Sequence, residues 1–173
     1  MSTTKDFKDK KISENWKYIV GDKDEAPSSF DFSKRTNLNK KQKQGYDTHY
    51  TYTDTEGNTA FIVERQYVNG SEQEKKFVLH SKWKNAVNGQ KKWISKKAPE
   101  PRVIYNLPTI TAHKSRKVVV VEGEKAAREY AKRKLYPVTT WSCGSYCVLK
   151  NDWSPLVDIQ DIILFPDNDK IGF

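Results

Sequence analysis

Four consecutive valines, Val118 to Val121, constrain the fold of this chain more than any other stretch of its sequence. A continuous β-branched run is typical of a strand that is covered on both faces in a parallel sheet. The twelve residues that follow Gly123, EKAAREYAKRKL, have apolar side chains at four-residue spacing, which predicts a helix that stops at Pro137. The apolar positions are Ala127, Ala131 and Leu135. A strand followed by a helix is therefore expected here.

Two further segments extend this pattern. PVTTW, which begins at Pro137, predicts a second short strand, and the glycine of SCGS predicts a turn after it. A less regular segment follows, and then IILF, residues 162–165, predicts a third strand. The order strand, helix, strand, variable segment, strand indicates an α/β unit of the doubly wound, Rossmann-like type.

Acidic residues follow two of these predicted strands. Glu122 comes directly after the valine run, and Asp167 and Asp169 come after the third strand, with 45 residues between Glu122 and Asp167. Ligands gather at the carboxyl ends of the strands in such sheets, so the three carboxylates meet if the two strands are neighbours. Clustered carboxylates repel one another unless a hard cation such as Mg²⁺ binds them. Alternatively, the two aspartates cap a following helix.

Other polar residues of this region have simpler interpretations. Glu124 lies where the predicted helix begins, a position that favours an acid through the helix dipole, and we assign it mainly that role. Cys143 and Cys147 have no histidine nearby and are interpreted as packing or loop thiols. Gly123 leaves room for a phosphate to approach the backbone.

Residues 46–97 show a different periodicity. THYTYT, TAFIVERQYV and KKFVLHSKW alternate with a period of two, and DTEGN and NGS separate them. Thr, Tyr, Val and Ile suit a half-buried pleated surface, while Gly and Asn accept the backbone conformations of hairpin turns. These residues therefore predict a small antiparallel β meander.

Basic and aromatic residues cluster on both sides of the last break in this region. Aromatic rings that alternate with lysines suit single-stranded nucleic acid, since the rings stack on bases and the lysines meet phosphates. The alternative is that both tryptophans cover the apolar face of the sheet. The predicted nucleic-acid-binding residues are Lys82, Trp83, Lys84, Lys91, Lys92 and Trp93.

The remaining segments are polar. Residues 1–45 predict a basic, largely disordered arm, although Ile12, Trp16 and Ile19 within it have the spacing of a helical face. The run from Lys34 to Gly45 suits either a solvated linker or an arm that follows a nucleic-acid strand. Residues 98–115, with three prolines, predict an extended connector.

The charge balance indicates the class of partner and the compartment. The formal net charge is +9, and residues 1–115 hold 22 Lys/Arg against 14 Asp/Glu. Such basicity suits nucleic acid or only aids solubility. No stretch approaches the ~18 apolar residues of a membrane span, and the first residues lack the apolar core of a signal peptide. Two cysteines are too few for a disulfide framework. We therefore expect a cytoplasmic protein without a membrane partner.

With these residues in place, the chain resembles a known family. VVVVEGEKAA, the turn SCGS and IILFPDND are similar to the TOPRIM domain of primases, topoisomerases and related nucleases. The longer order from YTYTDTEGN to VVVVEGEKAA resembles the primase-type proteins of phages and mobile elements, which are often fused to a replicative helicase. The resemblance spans about residues 46–173, and it implies that residues 116–173 are a TOPRIM domain.

The resemblance implies an activity and roles for particular residues. It implies metal-dependent phosphodiester chemistry, which in a primase is RNA primer synthesis on single-stranded DNA from nucleoside triphosphates, with a replicative helicase as a possible partner. Glu122 corresponds to the glutamate that assists proton transfer and binds metal. Asp167 and Asp169 correspond to the aspartates that hold Mg²⁺ or Mn²⁺.

The sequence also departs from the family pattern. Ala126 occupies a position where many bacterial primases have an aspartate, and no zinc-binding module is recognisable. The chain also ends four residues after Asp169, where a TOPRIM domain continues with a helix and a strand. We therefore expect a truncated TOPRIM domain, active or inactive. The alternative function is a module that binds nucleic acid or a replication partner without catalysis.

Overall fold

The computed structural model describes residues 14–27, 49–67, 75–113 and 117–167. Within these ranges the chain has a mixed α/β architecture, with an antiparallel sheet and a separate three-stranded parallel sheet. The antiparallel strands precede the parallel strands along the chain, as the change of sequence periodicity predicts.

The antiparallel sheet has five strands. Strands β2 to β5 pair in chain order, which confirms the meander predicted within residues 46–97. Asp54 supports the turn between β2 and β3, since its carboxylate accepts hydrogen bonds from the N–H groups of Glu56 and Asn58. The strand bounds are β1 Trp16–Ile19, β2 His49–Thr53, β3 Thr59–Tyr67, β4 Lys75–Asn85 and β5 Lys91–Ile94.

Strand β1 differs from its prediction. The spacing of Trp16 and Ile19 suggested a helical face, but Trp16–Ile19 is extended and pairs antiparallel with β4. The reason is a long-range contact: the rings of Tyr18 and Trp83 pack edge to face with centroids 6.0 Å apart. This part of the predicted arm therefore belongs to the sheet. Ile12 and the run from Lys34 to Gly45 lie outside the described residues.

The predicted connector is also more structured than expected. It contains a short helix, α1 (Leu107–Ala112), whose buried side chains are Leu107 and Ile110. Pro108 lies in its first turn, where the missing N–H costs nothing. The three-residue spacing of the two buried side chains was the sequence signal for this helix.

The parallel sheet contains all three strands predicted from the sequence. These are β6 (Val118–Val121), β7 (Val138–Thr139) and β8 (Ile162–Phe165), in the order β7-β6-β8. Strand β6 pairs in parallel with both neighbours. The valine run is therefore the central strand, and all four valines are buried as predicted.

Two helical layers cover β6. Val118 and Val120 pack with Ile104, Leu107 and Ile110 from the connector. Val119 and Val121 pack with Ala127 of the helix α2 (Glu124–Ala131) on the other face. A valine run with neighbours on both sides is what a central parallel strand requires.

Helix α2 is shorter than the predicted 124–135. It ends at Ala131, and Lys134 then takes a positive φ of 53°. Leu135, predicted on the buried face, is 63% exposed as a result. Two 3₁₀ helices, Ser145–Lys150 and Ser154–Leu156, form the variable segment. Among the described residues, no helix combines the length and the apolar character that crossing a bilayer would take.

Candidate active site

Strand pairing brings Glu122 and Asp167 to the same edge of the parallel sheet. Strands β6 and β8 are parallel neighbours, and Val121 lies opposite Phe165 at their carboxyl ends. Glu122 follows Val121, while Pro166 ends β8 and Asp167 follows it. The backbone N–H of Asp167 donates a hydrogen bond to Glu122 Oε2 at 3.2 Å. Two acids that are 45 residues apart in sequence are thus in contact.

The carboxylate of Glu122 has a second donor. Ser145 Oγ donates to Glu122 Oε1 at 2.5 Å. Cys143 and Gly144 both have positive φ, 74° and 75°, and the tight turn that they form directs Ser145 toward the end of β6. With one donor on each oxygen, the Glu122 carboxylate is held in one orientation. Sequence reasoning predicted this glycine turn but missed Ser145.

The turn after β6 is also fixed. The N–H of Gly123 donates to Thr140 Oγ1 at 2.9 Å, and Thr140 is fully buried at the end of β7. Gly123 has φ 107° and ψ 150°, a conformation that side chains with a Cβ rarely adopt. The glycine therefore lets Glu122 point to the sheet edge while α2 begins one residue later.

The third predicted carboxylate, that of Asp169, lies outside the described residues. In the part of the chain that the structure describes, no group of three His, Cys, Asp or Glu side chains is close enough to hold a metal ion. Glu122 and Asp167 are accordingly the described members of the predicted trio.

Glu124 has a partner that the sequence did not reveal. Its side chain is buried, and Tyr52 Oη donates to Glu124 Oε1 at 2.8 Å from the antiparallel sheet. Burial raises the pKa of Glu124, while the hydrogen bond from Tyr52 and the charge of Arg65 oppose this increase. Burial also raises the pKa of Tyr52 well above its usual value, so the hydroxyl stays protonated and donates. Glu124 therefore links the two sheets, a role beyond the helix-dipole interpretation.

A cavity of about 460 Å³ opens beside these acids, between the parallel unit and the antiparallel sheet. Both residues of this contact, Glu122 and Asp167, line it. Arg65 and Lys125 bring positive charge to the same walls, and Phe77, which is 47% exposed, brings an aromatic ring. Acids, cations and a ring in one cavity are a chemically suitable combination for a metal-bound phosphate ester with a base attached.

Glu122 also lines a second cavity of about 900 Å³, and the walls of this one are mainly apolar. Aromatic side chains form part of the wall: Trp141, Tyr146, Trp153 and Phe165. Strand β8 contributes Leu164, which is 68% exposed. The outer face of β8 is thus a broad apolar surface next to the acidic edge.

Two of the predicted nucleic-acid-binding residues are buried. Lys82 forms an ion pair with Glu25. Trp83 packs against Tyr18, and its Nε1 donates to Ser81 Oγ at 2.8 Å. In this arrangement both side chains serve the packing of the sheet, which for Trp83 is the alternative considered above.

The other four predicted residues remain accessible to solvent. Lys84, Lys91 and Lys92 are exposed, and Lys92 Nζ lies 3.9 Å from the centre of the Trp16 ring. Trp93 is partly buried, and its Nε1 donates to Glu25 Oε1 at 3.4 Å. The exposed cations among the six predicted residues are therefore Lys84, Lys91 and Lys92, and Lys92 points to the opposite face of β5 from Lys91.

The two cysteines are free thiols, as the sequence predicted. Burial raises the pKa of Cys143, which makes this thiol less reactive. Cys147 is buried within the 3₁₀ helix, and Asn151 Nδ2 donates to its carbonyl at 2.7 Å. Both residues belong to the loop that positions Ser145.

No protein-family model matches this sequence, and neither the curated proteins nor the solved structures yield a match. The geometry of Glu122, Asp167 and the cavity that they line is therefore the basis for assigning a function to this chain.

Proposed function

We propose that this chain is a primase-like protein, that residues 116–173 form part of a TOPRIM domain, and that it acts in Mg²⁺-dependent phosphodiester chemistry on nucleic acid. The reaction that the proposal favours is RNA primer synthesis from nucleoside triphosphates on single-stranded DNA. One observation carries it: Glu122 and Asp167 meet at the carboxyl edge of two parallel neighbours, with Asp167 N–H on Glu122 Oε2.

The residues at this edge suit magnesium. Mg²⁺ in proteins usually binds one or two carboxylates and completes its shell with waters and substrate phosphates. Glu122 and Asp167 would supply these carboxylates, and Asp169 is the predicted third. When bound, the ion neutralises charge on the transferring phosphoryl group and orients the attacking oxygen.

Side chains that line the cavity would accept the proton of the attacking group and bind the nucleoside triphosphate. In primer synthesis a 3′-hydroxyl attacks the α-phosphorus of a nucleoside triphosphate, the bond from that phosphorus to the bridging oxygen breaks, and pyrophosphate leaves. Glu122 would accept the proton of the hydroxyl at a carboxylate oxygen. Ser145 holds that carboxylate in place. Arg65 and Lys125 would contact phosphate oxygens, and Phe77 offers a ring to the base. A triphosphate would bind there only with its metal ion, because four acidic residues also line the cavity: Glu122, Glu124, Glu129 and Asp167.

The test is Mg²⁺-dependent primer synthesis on single-stranded DNA with the variants Glu122→Gln and Asp167→Asn. Both variants are expected to abolish synthesis, since each removes a carboxylate from the edge. The matched control is Asp161→Asn, which makes the same change at the opposite end of β8, where Asp161 pairs with Lys117 at 3.3 Å. Asp161→Asn should retain activity.

Metal binding gives a second measurement that does not require activity. Mn²⁺ titration followed by electron paramagnetic resonance should show a bound ion in the parent chain and in Asp161→Asn, and loss of that ion in Glu122→Gln and Asp167→Asn. Primer synthesis that survives both edge substitutions, or Mn²⁺ binding unaffected by them, would reject the proposed site.

The second candidate function is a module that binds nucleic acid or a replication partner without catalysis. The exposed lysines of the antiparallel sheet, Lys84, Lys91 and Lys92, favour it. Binding to single-stranded DNA that depends on salt but is the same with Mg²⁺ and with EDTA, together with no primer synthesis, would support this function over the first.

A further inference from the structure

Strand register places three lysines in a row across the antiparallel sheet. Lys17 of β1 lies opposite Lys84 of β4, and Lys84 lies opposite Lys91 of β5. Residues directly opposite one another point to the same face of a sheet, and neighbouring strands are about 4.8 Å apart. The three side chains, here called the lysine row, therefore span about 10 Å on one face.

Among the described residues, the lysine row has no carboxylate as an ion-pair partner. All three side chains are exposed, and within the described ranges no acidic side chain forms an ion pair with them. The lysine next to the row on the same face is Lys82, two residues before Lys84, and it forms an ion pair with Glu25. Like charges directly opposite one another oppose folding, so an anionic partner would relieve a repulsion that is built into the sheet.

Protection of a sheet edge does not account for this arrangement. Lysines on edge strands discourage pairing with another chain. Lys84, however, lies on β4, which has β1 on one side and β5 on the other. The middle lysine is thus in the interior of the sheet, where that protective role does not apply.

An aromatic ring accompanies the lysine row. Trp93 is two residues from Lys91 on β5 and therefore points to the same face. Its ring is partly exposed, and its Nε1 is directed to Glu25. Lysines at regular spacing beside a partly exposed aromatic ring suit single-stranded nucleic acid, because the lysines can bind phosphates and a base can stack on the ring.

We propose that Lys17, Lys84 and Lys91, with Trp93 beside them, form a surface that follows the phosphates of single-stranded nucleic acid. Lys84 is seven positions beyond Phe77, a residue of the acid-lined cavity, which is about 23 Å along β4; because this separation is odd, the two side chains point to opposite faces of the sheet. A strand held on the lysine row would therefore have to pass around an edge of the sheet, over several nucleotides, to reach the cavity. The inference deepens the proposed function, on which it rests for its biological sense, by naming where the template is held.

The experiment measures binding of a fluorescent oligothymidylate in EDTA at salt concentrations between about 50 and 200 mM. The test variant combines Lys17→Gln, Lys84→Gln and Lys91→Gln. Each phosphate contact with a single strand contributes about 0.7 to the slope of log Kobs against log salt, so this variant should lower the magnitude of the slope by about 2.

The control variant changes net charge equally at three exposed lysines that already pair with carboxylates. These pairs are Lys117 with Asp161, Lys132 with Glu129 and Lys150 with Glu100. Substitution of all three lysines by Gln should leave the slope within about one contact of the parent value. Equal loss in the test and control variants would show that only overall charge matters and would overturn the inference.

Two further arms complete the test. Vesicles that contain phosphatidylserine replace the oligonucleotide in a parallel titration; dependence on the lysine row for vesicles but not for DNA would assign the surface to a membrane and refute the inference. Because EDTA removes metal chemistry, the two proposals fail separately. Row-dependent binding without primer synthesis rejects only the proposed enzyme, and primer synthesis with row-independent binding rejects only the lysine row.

Discussion

Removal of the Tyr52 hydroxyl tests the link between the two sheets. Tyr52→Phe keeps the ring, which stacks on Phe61 with centroids 4.4 Å apart, and deletes only the donor to Glu124. Hydrogen bonds to charged groups contribute about 1.5–3 kcal/mol, and Glu124 is only 6% exposed, so little solvent replaces the lost donor. We expect the free energy of unfolding to fall by about 2 kcal/mol, which lowers the Tm by about 4–8 °C for a chain of 173 residues.

The raised pKa of Glu124 also predicts how the stability of the folded protein changes with pH. Burial raises the pKa of Glu124 in the folded state, so the folded protein binds more protons than the unfolded one above about pH 4.5. This contribution to stability is therefore complete below about pH 4.5 and is lost as the pH rises through the folded-state pKa. Tyr52→Phe removes a group that lowers this pKa and should extend the loss to higher pH, whereas Glu124→Gln should abolish it.

The assay is urea denaturation followed by tryptophan fluorescence at several pH values. Tyr18→Phe is the matched control, because Tyr18 Oη donates at 2.9 Å to a neutral acceptor, the carbonyl of Ala60. It should cost about 0.5–1.5 kcal/mol with no change in pH profile between pH 4 and 7. If Tyr52→Phe costs no more than this control and its pH profile matches that of the parent chain, the reasoning about Glu124 is wrong.

The remaining predictions concern the turn and the core. Gly123→Ala should lower the free energy of unfolding by about 1–3 kcal/mol through backbone strain alone, because φ is 107° and no atom within 4 Å would meet the new Cβ. Gly57→Ala, at φ 88° in a surface turn, is the control: it should cost a similar amount but leave the proposed Mn²⁺ binding intact, whereas Gly123→Ala should weaken that binding. Phe61→Ala should cost about 3–5 kcal/mol, since Phe61 is 1% exposed, whereas Phe77→Ala at 47% exposure should cost well under half as much. Urea denaturation measures both, and equal costs for the two phenylalanines would contradict the assigned core.

The sequence predicted the parallel unit well because its signals are local. Two apolar runs, Val118 to Val121 and residues 162–165, identify the strands. The rule that parallel strands have their carboxyl ends at one edge of the sheet then places the acids that follow them. Contact between Asp167 and Glu122 is a direct consequence of β8 pairing with β6. That part of the site could be found without coordinates.

Contacts and burial that depend on distant residues did not follow from the sequence. Tyr52 and Glu124 are 72 residues apart, so no local pattern could show that a buried hydroxyl would meet this acid. Trp83 and Lys82 fitted a basic aromatic motif, but a strand from the predicted arm covers Trp83 and Glu25 pairs with Lys82. Burial is a property of the whole fold, and spacing alone does not predict it.

These long-range contacts make the parallel unit depend on the segments that precede it. The N–H of Tyr105 donates to Thr140 O at 3.0 Å, and Asn106 Nδ2 donates to Val138 O at 3.1 Å. The connector is therefore hydrogen-bonded to strand β7 and to the residue that follows it. Through Thr140, which accepts from Gly123, these bonds reach the turn that carries Glu122. The orientation of the candidate catalytic acid is thus set partly by residues outside the predicted domain 116–173.

A fragment of residues 116–173 therefore should not fold alone. It would lack Ile104, Leu107 and Ile110, which cover one face of β6 and are at most 5% exposed in the intact chain. Each such side chain contributes about 1.5–3 kcal/mol when buried, so their combined loss is comparable with the total stability of about 5–15 kcal/mol of a typical domain. Circular dichroism and urea denaturation of this fragment should show no cooperative transition, while residues 98–173 should recover part of it. Cooperative unfolding of 116–173 by itself would show that the domain boundary predicted from the sequence is also a folding boundary.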